Sequence, residues 1–140
     1  MPDENVVVSI GEAAEASGTS TPTIRYYEEI GLIPPARRSA AGHRHYTRTD
    51  ISRLTFIRRC RDFGFGIDQV RLLSGLAANP DEDCTTVRDI AADHLSSVRH
   101  KLEELHRLEV HLAEFVEACD DGCCGGASQD CVVLAELAHA

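Results

Sequence analysis

The fold is decided by one stretch, residues 84–119, which reads CTTVRDIAADHLSSVRHKLEELHRLEVHLAEFVEAC. It contains no proline or glycine, and its apolar residues recur every three or four positions, with Glu109 as the one interruption. This spacing is typical of a coiled-coil stripe rather than of the broad apolar face of a packed globular helix. The apolar stripe comprises Val87, Ala91, Leu95, Val98, Leu102, Leu105, Leu112 and Val116.

A cysteine lies at each end of this stretch. The 35 residue steps from Cys84 to Cys119 correspond to about 52 Å at a rise of about 1.5 Å per residue. Because a metal ion binds sulfur at only about 2.3 Å, no single ion can contact both ends of one straight helix. If two such helices run antiparallel, however, Cys84 of one chain lies beside Cys119 of the other. The sequence therefore predicts a homodimer with two metal sites, each built from both chains.

The residues after the helix form a cysteine-rich loop, CDDGCCGGASQDC, at positions 119–131. The N-terminus has no basic segment or long apolar run, so neither a secretory signal nor a membrane span is predicted. We expect a cytoplasmic protein whose clustered cysteines are reduced, which favours metal or redox chemistry over structural disulfides. The candidate metal ligands are Cys84, Cys119, Cys123, Cys124 and Cys131.

Charge is distributed unevenly along the chain, whose net charge is -9. Residues 1–75 contain 10 Arg against 9 Asp or Glu, whereas residues 76–140 contain 4 Lys or Arg against 14 Asp or Glu. Within the first part, residues 37–71 contain 9 Arg against 3 Asp. A basic block of this kind is the expected electrostatic footprint of a nucleic-acid partner.

The basic region is predicted to be a winged helix-turn-helix. Ser9 and Glu12 form a capping pattern for a first helix, and Pro22 in the first turn is typical of the start of a second, which ends at Gly31. Residues 32–46 contain two prolines and a central glycine, which predicts a hairpin, and two further helices follow. The fold class is mainly α, with a DNA-binding domain at 1–76, a linker and dimerisation helix at 77–118 and a metal-binding loop with a short helix at 119–140.

The predicted DNA contacts lie on the second helix and the wing. The helix residues suit base edges and phosphates in a major groove, although one of its two adjacent tyrosines is expected to pack in the core. The wing residues suit the phosphate backbone, and some of the arginines at 53, 58 and 59 extend this surface. The candidates are Thr23, Arg25, Tyr26 and Tyr27 on the helix, and Arg37, Arg38, His43, Arg44 and Tyr46 on the wing.

Three motifs in order, TIRYYEEIGLIPPARR, GHRHY and ISRLTFIRRCRDFGFGIDQVRLL, resemble the MerR family of bacterial transcription regulators over essentially the whole chain. The resemblance implies a winged helix-turn-helix, an antiparallel coiled-coil dimer and a C-terminal effector site. It also implies a mechanism in which the dimer occupies a promoter with an overlong spacer. Effector binding then bends and underwinds the DNA so that RNA polymerase can use it.

The resemblance also assigns roles to three cysteines. In metal-sensing relatives, cysteine at the start of the dimerisation helix accompanies divalent soft metals, and this chain has Cys84 there. Cys119 and Cys131 match the two loop cysteines of the family. Thiolate donors suit zinc, cadmium, lead or mercury. The additional pair, Cys123 and Cys124, departs from the family pattern and leaves the choice among these four metals open.

Two other function classes fit the sequence less well. Four loop cysteines allow an iron–sulfur redox switch on the same fold, but such a cluster would not need Cys84. An enzyme is not predicted, because the chain has no HExxH motif and no visible nucleophile–base pair, and a site closed by thiolates leaves no open coordination position.

Overall fold

The computed structural model describes residues 6–122 and 125–139 and is mainly helical. Its only sheet among the described residues is a two-stranded antiparallel hairpin. The elements in chain order are α1 (Ile10–Ser17), α2 (Thr21–Glu29), β1 (Arg37–Arg38), β2 (Arg44–His45), α3 (Arg48–Asp62), α4 (Ile67–Ala77), α5 (Thr85–Gly122), a 3-10 turn (Ser128–Asp130) and α6 (Val132–Ala138).

Side-chain caps determine where the first helices begin. The Ser9 hydroxyl accepts a hydrogen bond from the Glu12 amide at 3.2 Å, which confirms the predicted start of α1. Thr47 and Asp50 form a reciprocal capping box at the start of α3. Such caps satisfy amides that have no partner inside the helix. Gly31 lies just after α2 with φ of 71°, in the left-handed region that residues other than glycine rarely adopt. This conformation fits the prediction that the second helix ends at Gly31.

The core lies between α1, α2, α3, α4 and the hairpin. Tyr46, which follows β2, pairs with Val8 through two backbone hydrogen bonds of 2.9 Å, so the segment before α1 is held against the wing. Cys60 is buried in this core. The ten buried apolar residues are Ala13, Ile24, Tyr27, Ile33, Tyr46, Leu54, Ile57, Cys60, Val70 and Leu73.

Two arginines bind the C-terminal ends of helices that lie far away in sequence. The Arg58 Nε donates to the Ser17 carbonyl at 2.9 Å, at the end of α1. The Arg71 guanidinium donates to the Ile30 and Gly31 carbonyls at 2.8 and 3.2 Å, just after α2. Each cation lies where the helix dipole is negative, an interaction worth on the order of 0.5 kcal/mol at the surface. These contacts connect α3 to α1 and α4 to α2.

The chain divides into two compact units, residues 1–90 and 91–140. In the first unit, Ile90 near the start of α5 packs against the core. Among residues 85–122 of α5, all of which the structure describes, none is buried. The predicted long helix is therefore confirmed, although it continues three residues past Cys119, and the residues of its apolar stripe are exposed. Among the described residues, no helix is both long and apolar enough to cross a membrane.

Candidate nucleic-acid interface and metal centre

The first turns of α2 present polar side chains on an outward face. The Ser20 hydroxyl caps the helix by accepting from the Thr23 amide at 3.3 Å, and it lies 2.7 Å from the Thr23 hydroxyl. Arg25 and Tyr26 are both exposed, and Tyr26 retains 49% of its accessible surface. A hydroxyl, a guanidinium and a phenol thus occur within about one helical turn. This combination suits contacts with base edges and phosphates.

Tyr27 points into the core and is only 7% exposed, in the same buried cluster as Ile24. Its ring centre lies 6.1 Å from that of Tyr26. The prediction that one of the adjacent tyrosines packs in the core is confirmed, and Tyr27 is that residue. It is removed from the predicted DNA-contacting set, because successive helical residues differ by about 100° in direction.

The wing presents a second basic surface. Arg37 pairs with His45 and Arg38 with Arg44 across the hairpin. Arg37, Arg38 and His43 are exposed, and the Arg38 Nη1 donates to the Gly42 carbonyl at 3.1 Å, which braces the turn. Their charge and exposure suit the phosphate backbone.

Tyr46 is not on the exposed surface of the wing, and its prediction as a phosphate contact is wrong for this structure. It is 1% exposed, and its hydroxyl donates to the Glu28 carboxylate. Burial and this hydrogen bond raise the pKa of the Tyr46 hydroxyl above its ordinary value. The Arg44 Nε lies 3.4 Å from Glu28 Oε2, in an ion pair rather than an aligned hydrogen bond. Glu28 was missed in the sequence, because its partners lie 16 and 18 positions away.

The arginines of α3 and α4 have different roles. The Arg58 guanidinium donates to the Ser17 carbonyl and lies 2.9 Å from the Asp62 carboxylate. Its role is therefore structural. Arg53 is half-exposed, lies 3.6 Å from Asp50, and lines with Arg37 a cleft of about 400 Å³ between the wing and α3. Arg59 is exposed. The predicted extension of the basic surface therefore rests on Arg53 and Arg59.

Cys84 lies at the start of α5, where its carbonyl accepts the first helical hydrogen bond, from the Arg88 amide at 2.9 Å. Its thiol is exposed. The preceding Asp83 accepts hydrogen bonds from the Thr85 amide at 2.9 Å and from the Thr85 hydroxyl at 2.8 Å, which forms a turn at the start of the helix. These hydrogen bonds lower the pKa of Asp83. The tendency of aspartate to accept a hydrogen bond from the backbone amide two residues later was the signal in the sequence that could have revealed this turn.

Two further candidate ligands lie at the other end of α5 and beyond it. Cys119 is in the last turns of the helix and is partly buried, and Cys131 is partly buried immediately before α6. Cys123 and Cys124 lie outside the described residues. Gly125 adopts a φ of 85°, which turns the chain between the two ends of the loop. Within 6–122 and 125–139, no three His, Cys, Asp or Glu side chains are grouped as a metal site.

Comparison with protein families matches residues 8–115 of the 140-residue chain to two models. Residues 8–74 match the MerR HTH family regulatory protein model, and residues 51–115 match the model described as MerR, DNA binding. The chain belongs to the MerR family. Its N-terminal part is therefore the MerR helix-turn-helix DNA-binding domain, and α5 is the long helix of that family.

Two MerR-type relatives are similar over nearly their full length. The HTH-type transcriptional regulator HmrR of Rhizobium leguminosarum bv. viciae is 42% identical over 93% of this chain and 97% of its own. A probable heavy metal-dependent transcriptional regulator of Haemophilus influenzae is 37% identical over 91% of this chain and 96% of its own.

One solved MerR-type structure is similar in both fold and sequence. It is the transcription regulator PbrR691 from Ralstonia metallidurans in complex with lead(II). The match has a TM-score of 0.80 and 34% identity, and it covers 94% of this chain and 99% of that one.

Proposed function

We propose that this MerR-family chain is a transcription regulator that senses a divalent soft metal ion. The observation that supports this most directly is the placement of thiols at both ends of α5, which follows a MerR DNA-binding domain. The exposed Cys84 precedes the helix, and Cys119 lies in its last turns. Two full-length relatives fit the proposal, since one is named as heavy metal-dependent and the other binds lead.

The exposed apolar stripe of α5 supports a homodimer. Val98, Leu102 and Leu105 expose 39%, 60% and 60% of their surface in the single chain. Apolar residues repeated every three or four positions are buried when two helices form a coiled coil. Antiparallel pairing places Cys84 of one chain next to Cys119 and Cys131 of the other, which gives two shared sites per dimer.

The available donors fit a soft ion. Three thiolates suit lead or mercury, and a fourth sulfur from Cys123 or Cys124, or a nitrogen or oxygen donor, suits zinc or cadmium. Hard cations such as magnesium prefer oxygen ligands, so a thiolate set disfavours them. The bound ion would tie the start of one α5 to the end of its partner and so fix the position of each DNA-binding domain.

The DNA-binding surface consists of the outward residues of α2 and the wing. Thr23, Arg25 and Tyr26 are assigned to the major groove, and Arg37, Arg38 and His43 to phosphates. By family resemblance, the metal-bound dimer distorts a promoter with an overlong spacer so that RNA polymerase can engage both elements. The iron–sulfur alternative gains no support from the relatives named above.

A promoter–reporter assay tests the proposal. The full-length regulator is titrated with zinc, cadmium, lead, mercury and copper salts beside a Cys84→Ser variant, and Cys60→Ala serves as a control that loses a buried thiol elsewhere. We expect at least one divalent soft ion to activate transcription by about 10-fold or more, a coupling of about 1.4 kcal/mol or more. The Cys84→Ser variant should lose this response but retain operator binding. A normal response in Cys84→Ser would reject the shared site.

A further inference from the structure

Glu28 is an acidic residue on the DNA-binding helix whose side chain is only 11% exposed. Both of its partners come from the wing. One carboxylate oxygen accepts from the Tyr46 hydroxyl, and the other lies 3.4 Å from the Arg44 Nε. A carboxylate shielded from water in this way is stable only when such partners compensate for its lost hydration. The two contacts join α2 to β2 and to the residue that follows it.

The partners of Glu28 are themselves firmly held. Tyr46 is buried and pairs with Val8 through backbone hydrogen bonds in both directions. Arg44 lies opposite Arg38 in the hairpin register, and Arg38 braces the turn at Gly42. The hairpin is therefore oriented against α2 by the Glu28 contacts as well as by the short link between them.

We propose that Glu28 is a positioning residue for DNA recognition, which sets the orientation of the wing relative to α2 through Tyr46 and Arg44 and does not itself contact DNA. This inference rests on the proposed DNA-binding function. It also reassigns Arg44, whose side chain acts on Glu28 instead of on a phosphate. Specific binding requires α2 and the wing to contact the same stretch of DNA together. A misplaced wing would therefore weaken binding to the operator more than binding to non-specific DNA.

The direction of the change in DNA affinity when Glu28 is neutralised distinguishes the positioning role from a purely electrostatic effect. Removing a negative charge near phosphates should tighten DNA binding. Removing a positioning residue should weaken it. Glu28→Gln keeps an acceptor for Tyr46 but removes the charge that pairs with Arg44. Tyr46→Phe removes the hydrogen bond from the Tyr46 hydroxyl to Glu28 and leaves the net charge unchanged at neutral pH.

The experiment uses the full-length dimer and an operator that the wild-type chain selects from a random duplex pool. Dissociation constants are measured for this operator and for a non-specific duplex at several salt concentrations. We expect Glu28→Gln and Tyr46→Phe each to weaken operator binding by about 5- to 20-fold, the loss typical of one charge-assisted contact. Non-specific binding should change by less than about 2-fold, and the slope against salt should stay unchanged, because no phosphate contact is lost.

Glu29→Gln is the matched control, since it removes the same charge from the neighbouring, exposed position of α2. It should bind the operator as tightly as wild type or more tightly. Thermal melts identify any variant that has lost its fold, and Tyr46→Phe carries the test if Glu28→Gln is unfolded.

Several outcomes would overturn the inference. Operator binding by Glu28→Gln at wild-type strength or tighter would show that Glu28 acts only by charge. Equal weakening on operator and non-specific DNA would show a general loss of the domain. If the wild-type chain selects no sequence from the pool, the proposed function fails together with this inference. If it selects one and Glu28→Gln binds it normally, only the inference fails.

Discussion

The arginines of the DNA-binding unit have different roles. Arg25 and Arg37 are exposed and available to DNA, whereas Arg58 and Arg71 bind backbone carbonyls at helix ends. Their charge is the same, but arginines already bound to the protein have fewer donors left for phosphates. The basic character of the first unit therefore overstates the number of its DNA contacts.

Arg25 provides the most direct test of the major-groove surface. Its guanidinium is exposed on α2, and Arg25→Ala should weaken operator binding by about 10-fold, the usual loss for an arginine that contacts a base or phosphate. Arg88→Ala removes the same charge from an exposed position of α5 and should leave affinity within about 2-fold. Mobility-shift titration at fixed salt measures both, and equal affinity for Arg25→Ala and wild type would remove Arg25 from the interface.

Tyr46 should make the stability of the protein sensitive to alkaline pH. Because burial and the Glu28 hydrogen bond raise the pKa of its hydroxyl in the folded state, the neutral form is favoured by folding. This contribution is fully present below the unfolded pKa of about 10 and is lost as pH rises above that value towards the folded pKa. Wild type should therefore lose free energy of unfolding above about pH 10.

Tyr46→Phe removes this titration. The variant should be less stable than wild type at pH 8 by about 1–3 kcal/mol, because the hydrogen bond to a carboxylate is lost, and the difference should shrink towards pH 11. Urea unfolding at each pH measures the difference. Tyr26→Phe, at an exposed position, should show no such convergence, and a constant gap between wild type and Tyr46→Phe would contradict the assignment.

At the level of elements, the helices were predictable because their signals are local. Ser9 and Gly31 mark helix ends through a side-chain cap and a left-handed backbone conformation, and the structure confirms both. The 3-10 turn at Ser128–Asp130 was not predicted, and α5 extends to Gly122 because nothing in Cys-Asp-Asp after residue 118 breaks a helix. Contacts such as Glu28 with Tyr46 could not be predicted, since they depend on tertiary packing between distant residues.

The apolar stripe of α5 gives an element-level prediction about the dimer. Val98 lies in the stripe and Val110 lies outside it, yet both are exposed in the single chain, at 39% and 45%. Val98→Glu should weaken dimerisation by at least about 100-fold, because it places an unpaired carboxylate in the helix interface. Val110→Glu should leave the dimer intact. Sedimentation velocity over a concentration series compares the two, and equal behaviour would argue against this stripe as the interface.

For the whole molecule, we propose that each metal site is completed by two chains. The spacing of Cys84 and Cys119 predicts that a second chain is needed, since one helix cannot bring its own ends together. The role of Cys123 and Cys124 could not be predicted, because these cysteines depart from the family pattern and lie outside the described residues. Sharing of the sites between chains is therefore best tested through Cys84 and Cys119.

A mixed dimer tests whether the two chains share each metal site. One chain carries Cys84→Ser, the other carries Cys119→Ser, and two affinity tags isolate the heterodimer. If sites are shared between antiparallel chains, one site receives both substitutions and the other is intact, so the heterodimer should bind one ion with wild-type affinity. Neither mutant homodimer should bind an ion with wild-type affinity. Equilibrium titration with lead or cadmium measures this stoichiometry, and a heterodimer without any wild-type site would contradict the shared-site account.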